Sequence, residues 1–488
     1  MTEKSGAPQS KSKARHFQKP GSKTVQRSAK PGPKTVPKPV PQTREASHAA
    51  EPPGLLARRL ATRLIGAVIE DGRALDDAFT VALASPRFAG LEPRDRAFAR
   101  IIATTALRRL GELEGVLKTF LEKPLPADRG RLRPMLLSGA AQLLFLETPP
   151  HAAISLAVDE CRGDPKARRF DRLVNAVLRR VSEKGAEILK SLDSPRVNIP
   201  EWLWRRWVAT YGEGLAKQIA AASLEPAALD ISVKSDAARW AERLGGIVLR
   251  TGAVRLEAEG RIEDMAGFAD GEWWVQDAAA ALPARLFGAV KGLKVADLCA
   301  APGGKTAELA VAGAFVTAVD ISGERLKRVT ENLGRLKLTA ELVEADATAW
   351  DPGCQFDAVL LDAPCTATGT IRRHPDILRL KRETDVGAIA GLQTKLLDAA
   401  ARLVKPDGTV VYCTCSLEPE EGRDQIAALL GRNSNFTRVP IDAAEFGGES
   451  DWITADGDLR TLPCHFKAET PALSGLDGFY AARLKRVS

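Results

Sequence analysis

The sequence predicts a multidomain protein in which an all-α part is followed by an α/β part built on a doubly wound parallel sheet. Three observations carry that prediction: the length, a helical apolar period in the first half, and a switch to short apolar runs in the second. At 488 residues the chain exceeds one ordinary core. Between about 53 and 190 apolar residues recur at three-to-four spacing, as in Leu56, Leu60, Leu64 and Val68, and again at Leu173, Val177 and Val181. From about 285 the rhythm becomes LKVADL, AFVTAVD, ELVEAD, FDAVLLDAP and GTVVYCTC, strand-like runs separated by helical stretches.

Taken in order, residues 1–52 are rich in Lys, Pro, Ser and Gly and poor in apolar side chains, so they are expected to stay disordered. Eleven Lys and Arg against the single acid Glu3 stand in the first 44 residues. The tail thus accounts for the net charge of +8 and leaves the folded part close to neutral. It offers sequence-independent attraction to phosphates, or serves only as a solubilising extension. Residues 53–190 form the helical domain, and 191–284 a linker followed by a small α/β subdomain. Within it SPRVNIP, Ser194 to Pro200, reads as the linker. The tryptophans of EWLWRRW are read as core, although with Arg205 and Arg206 they are also suited to stacking on bases. Residues 285–488 carry the sheet. No apolar run approaches the ~20 residues a membrane span needs, and the expected location is the cytoplasm. Seven cysteines without a regular spacing fit reduced thiols better than a disulfide framework.

Ligands of such sheets sit beyond the carboxyl ends of the strands, and the unusual motifs fall there. DLCAAPGGKT, Asp297 to Thr306, follows the first strand and opens a helix. A phosphate-binding P-loop needs a glycine where Cys299 stands, so what remains is a tight Pro302-Gly303-Gly304 turn that brings backbone to a ligand at a helix N-terminus. Asp320 ends the next strand, placed to accept from ribose hydroxyls, and Asp346 ends the third, placed for an adenine amino group. An adenosine-bearing cofactor follows. The missing dinucleotide glycines and the flanking acids favour S-adenosylmethionine over NAD.

LLDAPCTATGTIRRHPD puts Asp362 and Cys365 on the fourth strand's exit, and Cys415 leaves the fifth. Two thiols and a carboxylate facing one cleft suit methylation of carbon 5 of cytosine. That carbon is a poor nucleophile until a thiolate adds at carbon 6 and is later eliminated. Asp362, protonated or sharing a proton, would meet charge at ring nitrogen 3, and the second thiol would assist loss of the carbon 5 proton. Which thiol attacks stays open on the residues alone. A zinc site from Cys413, Cys415, Cys464 and His465 is the rival, but C-x-C on a strand lacks the usual C-x-x-C knuckle. Simple core packing is the reading for Cys161, Cys354 and Cys413.

With these motifs in hand the chain resembles the RsmB/Sun family of RNA cytosine-5 methyltransferases over nearly everything after residue 53. HAAISLAVDEC and RLVNAVLRRV are similar to a NusB-like helical RNA-binding domain. VQDAAA, DLCAAPGGKT, VDISGERLKRV, LLDAPCTATGTIRRHPDI, YCTCSLEPEEG and DGFYAARLKR follow the order of the family's catalytic motifs. The resemblance implies an all-α NusB-like domain followed by a Rossmann-like class I methyltransferase domain. It implies S-adenosylmethionine bound through Cys299, Ala300, Ala301, Pro302, Gly303, Gly304, Lys305, Asp320, Asp346 and Asp362. It also implies that Cys415 is the nucleophile and Cys365 promotes product release. Thr366 stands where Ser is usual and Gly422 where Asn is common. The implied substrate is 16S ribosomal RNA, with no metal and a monomer as the expectation. Arg372, Arg373, Arg379, Lys381 and Arg382 are then expected to hold phosphates beside the pocket. The alternative is a catalytically inert RNA-binding ribosome assembly factor.

Overall fold

The computed structural model describes residues 52–257 and 260–487, so the basic tail lies outside the described residues apart from Pro52. Seven α-helices build the first part: α1 (Leu55–Ile69), α2 (Leu75–Leu83), α3 (Pro93–Arg108), α4 (Leu110–Phe120), α5 (Leu132–Phe145), α6 (Pro150–Gly163) and α7 (Asp171–Ser191). Leu60, Leu64 and Val68 of α1 face the core as their spacing requires. On α7 the buried stripe starts one residue later than expected, at Val174 instead of Leu173, and continues through Val177, Leu178 and Val181. Helix α5 has apolar or small residues nearly all round and packs against α1, α3, α4, α6 and α7. A helix without a polar face has to lie in the middle.

The stretch expected as a free linker is a docked helix, α8 (Ser194–Asn198). Its Pro195 sits in the first turn, where a missing N–H costs nothing, so the proline starts the helix. The buried Asn198 side chain donates to Glu112 of α4 at 2.8 Å and accepts from the Glu112 backbone N–H at 3.2 Å. Helix α9 (Glu201–Ser223) follows, interrupted at Gly212, whose φ of 77° lies in the left-handed region. Trp207 is buried, and Trp202 and Trp204 pack on the same cluster with Leu203, Ile219 and Leu417. The tryptophans are therefore core.

A small antiparallel sheet comes next, with β1 (Leu229–Val233), β2 (Ile247–Val248), β3 (Val254–Leu256) and β4 (Trp273–Val275) in the order β2-β3-β1-β4. Helix α10 (Ala237–Leu244) packs on it. The main sheet comprises β5 (Lys294–Leu298), β6 (Phe315–Asp320), β7 (Glu341–Glu344), β8 (Phe356–Asp362), β9 (Val404–Thr414), β10 (Phe436–Arg438), β11 (Leu459–Thr461) and β12 (Phe479–Arg486). Its order is β10-β12-β9-β8-β5-β6-β7, with β11 pairing β12. The five predicted strands run parallel, but β12 enters antiparallel beside β9, so the doubly wound parallel sheet is mixed at one edge. The terminal DGFYAARLKR supplies that strand.

Both faces of the sheet are covered. Leu360 and Val411 face one apolar layer, and their neighbours Val359, Leu361 and Tyr412 the other. Helices α11 (Ala278–Arg285), α12 (Gly304–Val311), α13 (Gly323–Arg335), α14 (Ile377–Leu380), α15 (Glu383–Leu403) and α16 (Arg423–Arg432) complete the domain. The helical part docks on the segment after Cys365. Arg108 donates to the Arg372 carbonyl at 2.9 Å, and the Leu75 N–H to Asp376 at 2.9 Å. No described helix is long and apolar enough to cross a membrane.

Candidate active site

Strands β8 and β9 run parallel with Asp362 opposite Cys413, so the residues just beyond them leave the sheet side by side. Cys365 and Cys415 meet there, with their Sγ atoms 3.3 Å apart. Period-two alternation puts Cys413 and Cys415 on one face of β9. Cys413 sits fully buried in the apolar layer, while Cys415 stands at its rim. Burial, with Asp362 beside it, pushes the Cys413 thiol well above its usual range. Of the two, only Cys415 is partly exposed.

Lys305 reaches across from the first turn of α12 and donates to Asp362 Oδ2 at 2.7 Å, with its ammonium 4.9 Å from the Phe479 ring centre. Burial opposes the ammonium's charge, but Asp362 and Cys413 outweigh it and hold Lys305 above its usual range. The loop before α12 begins at Cys299, whose φ of 61° is left-handed, and passes Gly303 at φ 97°. Burial, reinforced by Asp362 and Asp320, pushes the Cys299 thiol up to about 12. Asp320 anchors this loop by accepting from the Ala301 N–H at 3.1 Å and the Ser322 N–H at 3.0 Å. It is 2% exposed. Asp346 stands on the exposed rim, where hydrogen bonds from the Thr348 hydroxyl and N–H hold its carboxyl below the usual range. The structure thus brings Cys299–Lys305, Asp320, Asp362, Cys365 and Cys415 to one end of the sheet and leaves Asp346 at its edge.

A family model described as 16S rRNA methyltransferase RsmB/F matches residues 288–485, and one described as NusB family matches 55–183. A ribosomal RNA small subunit methyltransferase B from Xanthomonas campestris pv. campestris is 37% identical over 410 residues, spanning 81% of this chain and 92% of the relative. The chain belongs to the RsmB/F methyltransferase family. The namesake from Vibrio cholerae serotype O1 is 36% identical over 88% of this chain and 97% of its own. Among solved structures, PH0851 superposes with a TM-score of 0.66 at 23% identity, covering 89% of this chain and 99% of its own. NSun6 from Pyrococcus horikoshii with SFG gives a TM-score of 0.50 at 19% identity, covering 59% of this chain and 98% of its own. At those identities the likeness is one of fold.

Two expectations need correction in this RsmB/F-family chain, and a rival reading does not assemble. Arg372, Arg373 and Arg379 do not present phosphate-binding heads. Arg372 is buried and donates to the Leu476 and Ser474 carbonyls. Arg373 is clamped between Asp277 and Asp477, and Arg379 donates to the Asn198 carbonyl. These guanidiniums are used up in holding the segment to its neighbours, so only Lys381 and Arg382 keep accessible charge. Cys354, expected in the core, is exposed on the turn before β8. The zinc grouping does not assemble: Cys413 faces Asp362, whereas His465 stacks on Trp452 at 6.3 Å between ring centres. Among the described residues no group of three or more His, Cys, Asp or Glu is placed to hold a metal ion.

Two residues carry more of the site than their sequence context suggested. Glu421, the second glutamate of EPEEG, lies buried beneath both thiol loops. Its signal was a pair of acids next to a cysteine motif, which reads equally well as a solvated turn. Asp297, fully buried at the end of β5, accepts from the Thr306 hydroxyl at 2.6 Å and is pushed up to about 7 by burial. A carboxyl whose folded value lies above its ordinary 3.8 adds stability below that value, and the contribution is lost as pH rises through 7. Asp297→Asn is therefore expected to match wild type near pH 4 and to exceed it by about 1–3 kcal/mol at pH 8. Urea melts at the two pH values check this, and equal stabilities at pH 8 refute it.

Proposed function

We propose that the protein methylates carbon 5 of a cytidine in 16S ribosomal RNA, through a covalent adduct with Cys415. The observation that carries this reading is the Cys365–Cys415 pair, 3.3 Å apart, beside the Lys305–Asp362 ion pair. Methyl transfer as such follows from the family, and the relatives' names direct it to small-subunit rRNA. The NusB family match over 55–183 supplies a module suited to RNA.

The strand-end residues fit S-adenosylmethionine on their donor set. The carboxylates of Asp320, Asp346 and Asp362 accept from hydroxyl and amino groups, and Ile321, 68% exposed beside Asp320, offers an apolar face. The loop Cys299–Lys305 brings backbone and the Lys305 ammonium to the same place. When bound, the cofactor supplies an electrophilic methyl group on a sulfonium.

The chain's own residues then do the following. Cys415 Sγ adds to carbon 6, breaking the 5,6 double bond and making carbon 5 nucleophilic. Charge that develops at ring nitrogen 3 is met by the Lys305–Asp362 pair. Because Lys305 Nζ donates to Asp362 Oδ2, the proton at hand there is the lysine's. After methylation the Cys365 sulfur, as thiolate once its own proton has passed to solvent, takes the carbon 5 proton, whose electron pair re-forms the 5,6 double bond. The Cys415–carbon 6 bond then breaks as the double bond re-forms. The target base has to be turned out of its stack to reach this end of the sheet, so an exposed loop of rRNA is the substrate.

The test is incubation of the protein with labelled S-adenosylmethionine and unmethylated 16S rRNA, followed by nucleoside digestion and mass spectrometry. 5-Methylcytidine is the expected product. Label in another nucleoside overturns the carbon 5 assignment, and RNA binding with no label favours the inert assembly factor.

A further inference from the structure

Glu421 stands at the foot of both thiol-bearing loops. Its Oε1 accepts from the Thr366 N–H at 2.9 Å, and Gln393 Nε2 lies 3.5 Å from the same oxygen. Its Oε2 accepts from the Thr366 hydroxyl and, at 2.5 Å, from the Ser416 hydroxyl. Thr366 follows Cys365 and Ser416 follows Cys415. One buried carboxylate thus joins the two chain segments whose sulfurs meet. Its own backbone is held in turn, because the Glu421 carbonyl accepts from the Tyr412 hydroxyl at 2.8 Å and the Thr414 hydroxyl at 3.2 Å.

We propose that Glu421 is the positioning residue of the thiol pair: its carboxylate holds the Cys365 and Cys415 loops at their working separation and fixes a negative charge on the Cys365 side. The inference rests on the reading that Cys415 attacks and deepens it, because it gives the two sulfurs unequal surroundings. The partners of the Glu421 side chain are neutral donors, which suits an acceptor-only carboxylate. The groups facing Cys365 are Cys415, Glu421 and Tyr412, and Lys381 acts on Glu421 from further out. The hydrogen bond with Cys415 and burial, with Glu421 adding to them, raise the Cys365 thiol well above its usual range. Lys305, paired with Asp362, acts instead on Cys413 and Cys415. The two sulfurs therefore stand in unequal surroundings, and the Cys365 thiol holds its proton more tightly than an ordinary thiol. A carboxylate one methylene shorter, or an amide with its own N–H donors, cannot meet all these donors at once.

The experiment compares wild type, Glu421→Gln, Glu421→Asp and Ser416→Ala. For each, Tm and S-adenosylmethionine affinity are measured as controls. The readouts are the single-turnover rate of methyl transfer and the pH midpoint for iodoacetamide alkylation of Cys365, followed by peptide mass mapping without RNA. Glu421→Gln is expected to lower the rate about a hundredfold and to move the midpoint down by about one pH unit, while cofactor affinity stays within about twofold. Glu421→Asp gives an intermediate rate. Ser416→Ala slows transfer without moving the midpoint, because it removes one strut and keeps the charge. A folded Glu421→Gln with an unmoved midpoint and a rate within about twofold of wild type overturns the proposal. Should that variant fail to fold, Ser416→Ala decides, and a wild-type rate overturns it. The alkylation result needs no RNA and no attacking thiol. A Cys415→Ala enzyme that still transfers methyl groups therefore sinks the function reading while leaving this one standing.

Discussion

Cys415→Ala is expected to abolish methyl transfer, with a loss of at least about ten-thousandfold, because the proposed mechanism needs its sulfur to add to carbon 6. Cys365→Ala behaves differently. On the proposed mechanism it retains the attacking sulfur and loses the partner 3.3 Å away that would help the adduct collapse. It is expected to accumulate a covalent protein–RNA species that survives denaturing electrophoresis and carries label from S-adenosylmethionine. Cys413→Ala, on the same face of β9 but buried against Asp362, is expected to leave the first turnover in place and to cost stability through a small cavity, about 1–2 kcal/mol. Trapping by Cys415→Ala and inactivity of Cys365→Ala would exchange the roles of the two thiols. Because their surroundings differ, with Glu421 near one and Lys305 near the other, the pattern is expected to be unequal.

Arg373→Ala is expected to be the most destabilising of the single substitutions considered, by about 3–5 kcal/mol. The guanidinium lies 2.6 Å from Asp277 and 3.0 Å from Asp477, and it also donates to the Ala228 carbonyl at 3.0 Å. Both carboxylates are almost fully buried. Burial works against the charge of each, and Arg373 holds Asp277 below its usual range, whereas Asp477 stays above its own. Removing the arginine leaves two buried acids without their hydrogen-bonded counter-charge, with only the coulombic influence of Arg255 and Arg372 remaining, which costs more than the pair itself contributes. Arg373→Lys keeps a charge but loses the fork that spans two acids, so an intermediate loss is expected. Arg382→Ala, on the exposed rim, is expected within about 0.5 kcal/mol of wild type. Urea melts of the three variants provide the check. If Arg373→Ala melts like wild type while losing RNA affinity, Arg373 is a phosphate contact after all.

The arginine run shows where sequence reasoning loses its grip. RR at 372–373, close after a cysteine loop, reads as a basic patch because charge and position are all that the string displays. Whether a guanidinium faces solvent or buried carbonyls and carboxylates depends on what folds over it, and here that cover comes from residues 228, 277 and 474–477. The strand-end aspartates divide along the same line. Asp320 and Asp362 do end β6 and β8, but Asp320 accepts hydrogen bonds from its own loop, and Asp362 accepts one from Lys305. Glu421 was invisible as a connector because its partners follow two cysteines fifty positions apart.

By itself the sequence determined the layering: a helical period followed by strand runs, each with a local physical cause in side-chain spacing, and the strand exits where the chemistry gathers. It also determined the inventory, in the order in which the family's motifs appear. Only the tertiary structure decided which groups touch. Parallel pairing of β8 with β9 set two sulfurs face to face, the antiparallel entry of β12 made the sheet mixed, and packing turned a supposed linker into a docked helix. Periodicity is a property of neighbours along the chain. Contact, burial and charge pairing belong to neighbours in space, which no window of sequence contains.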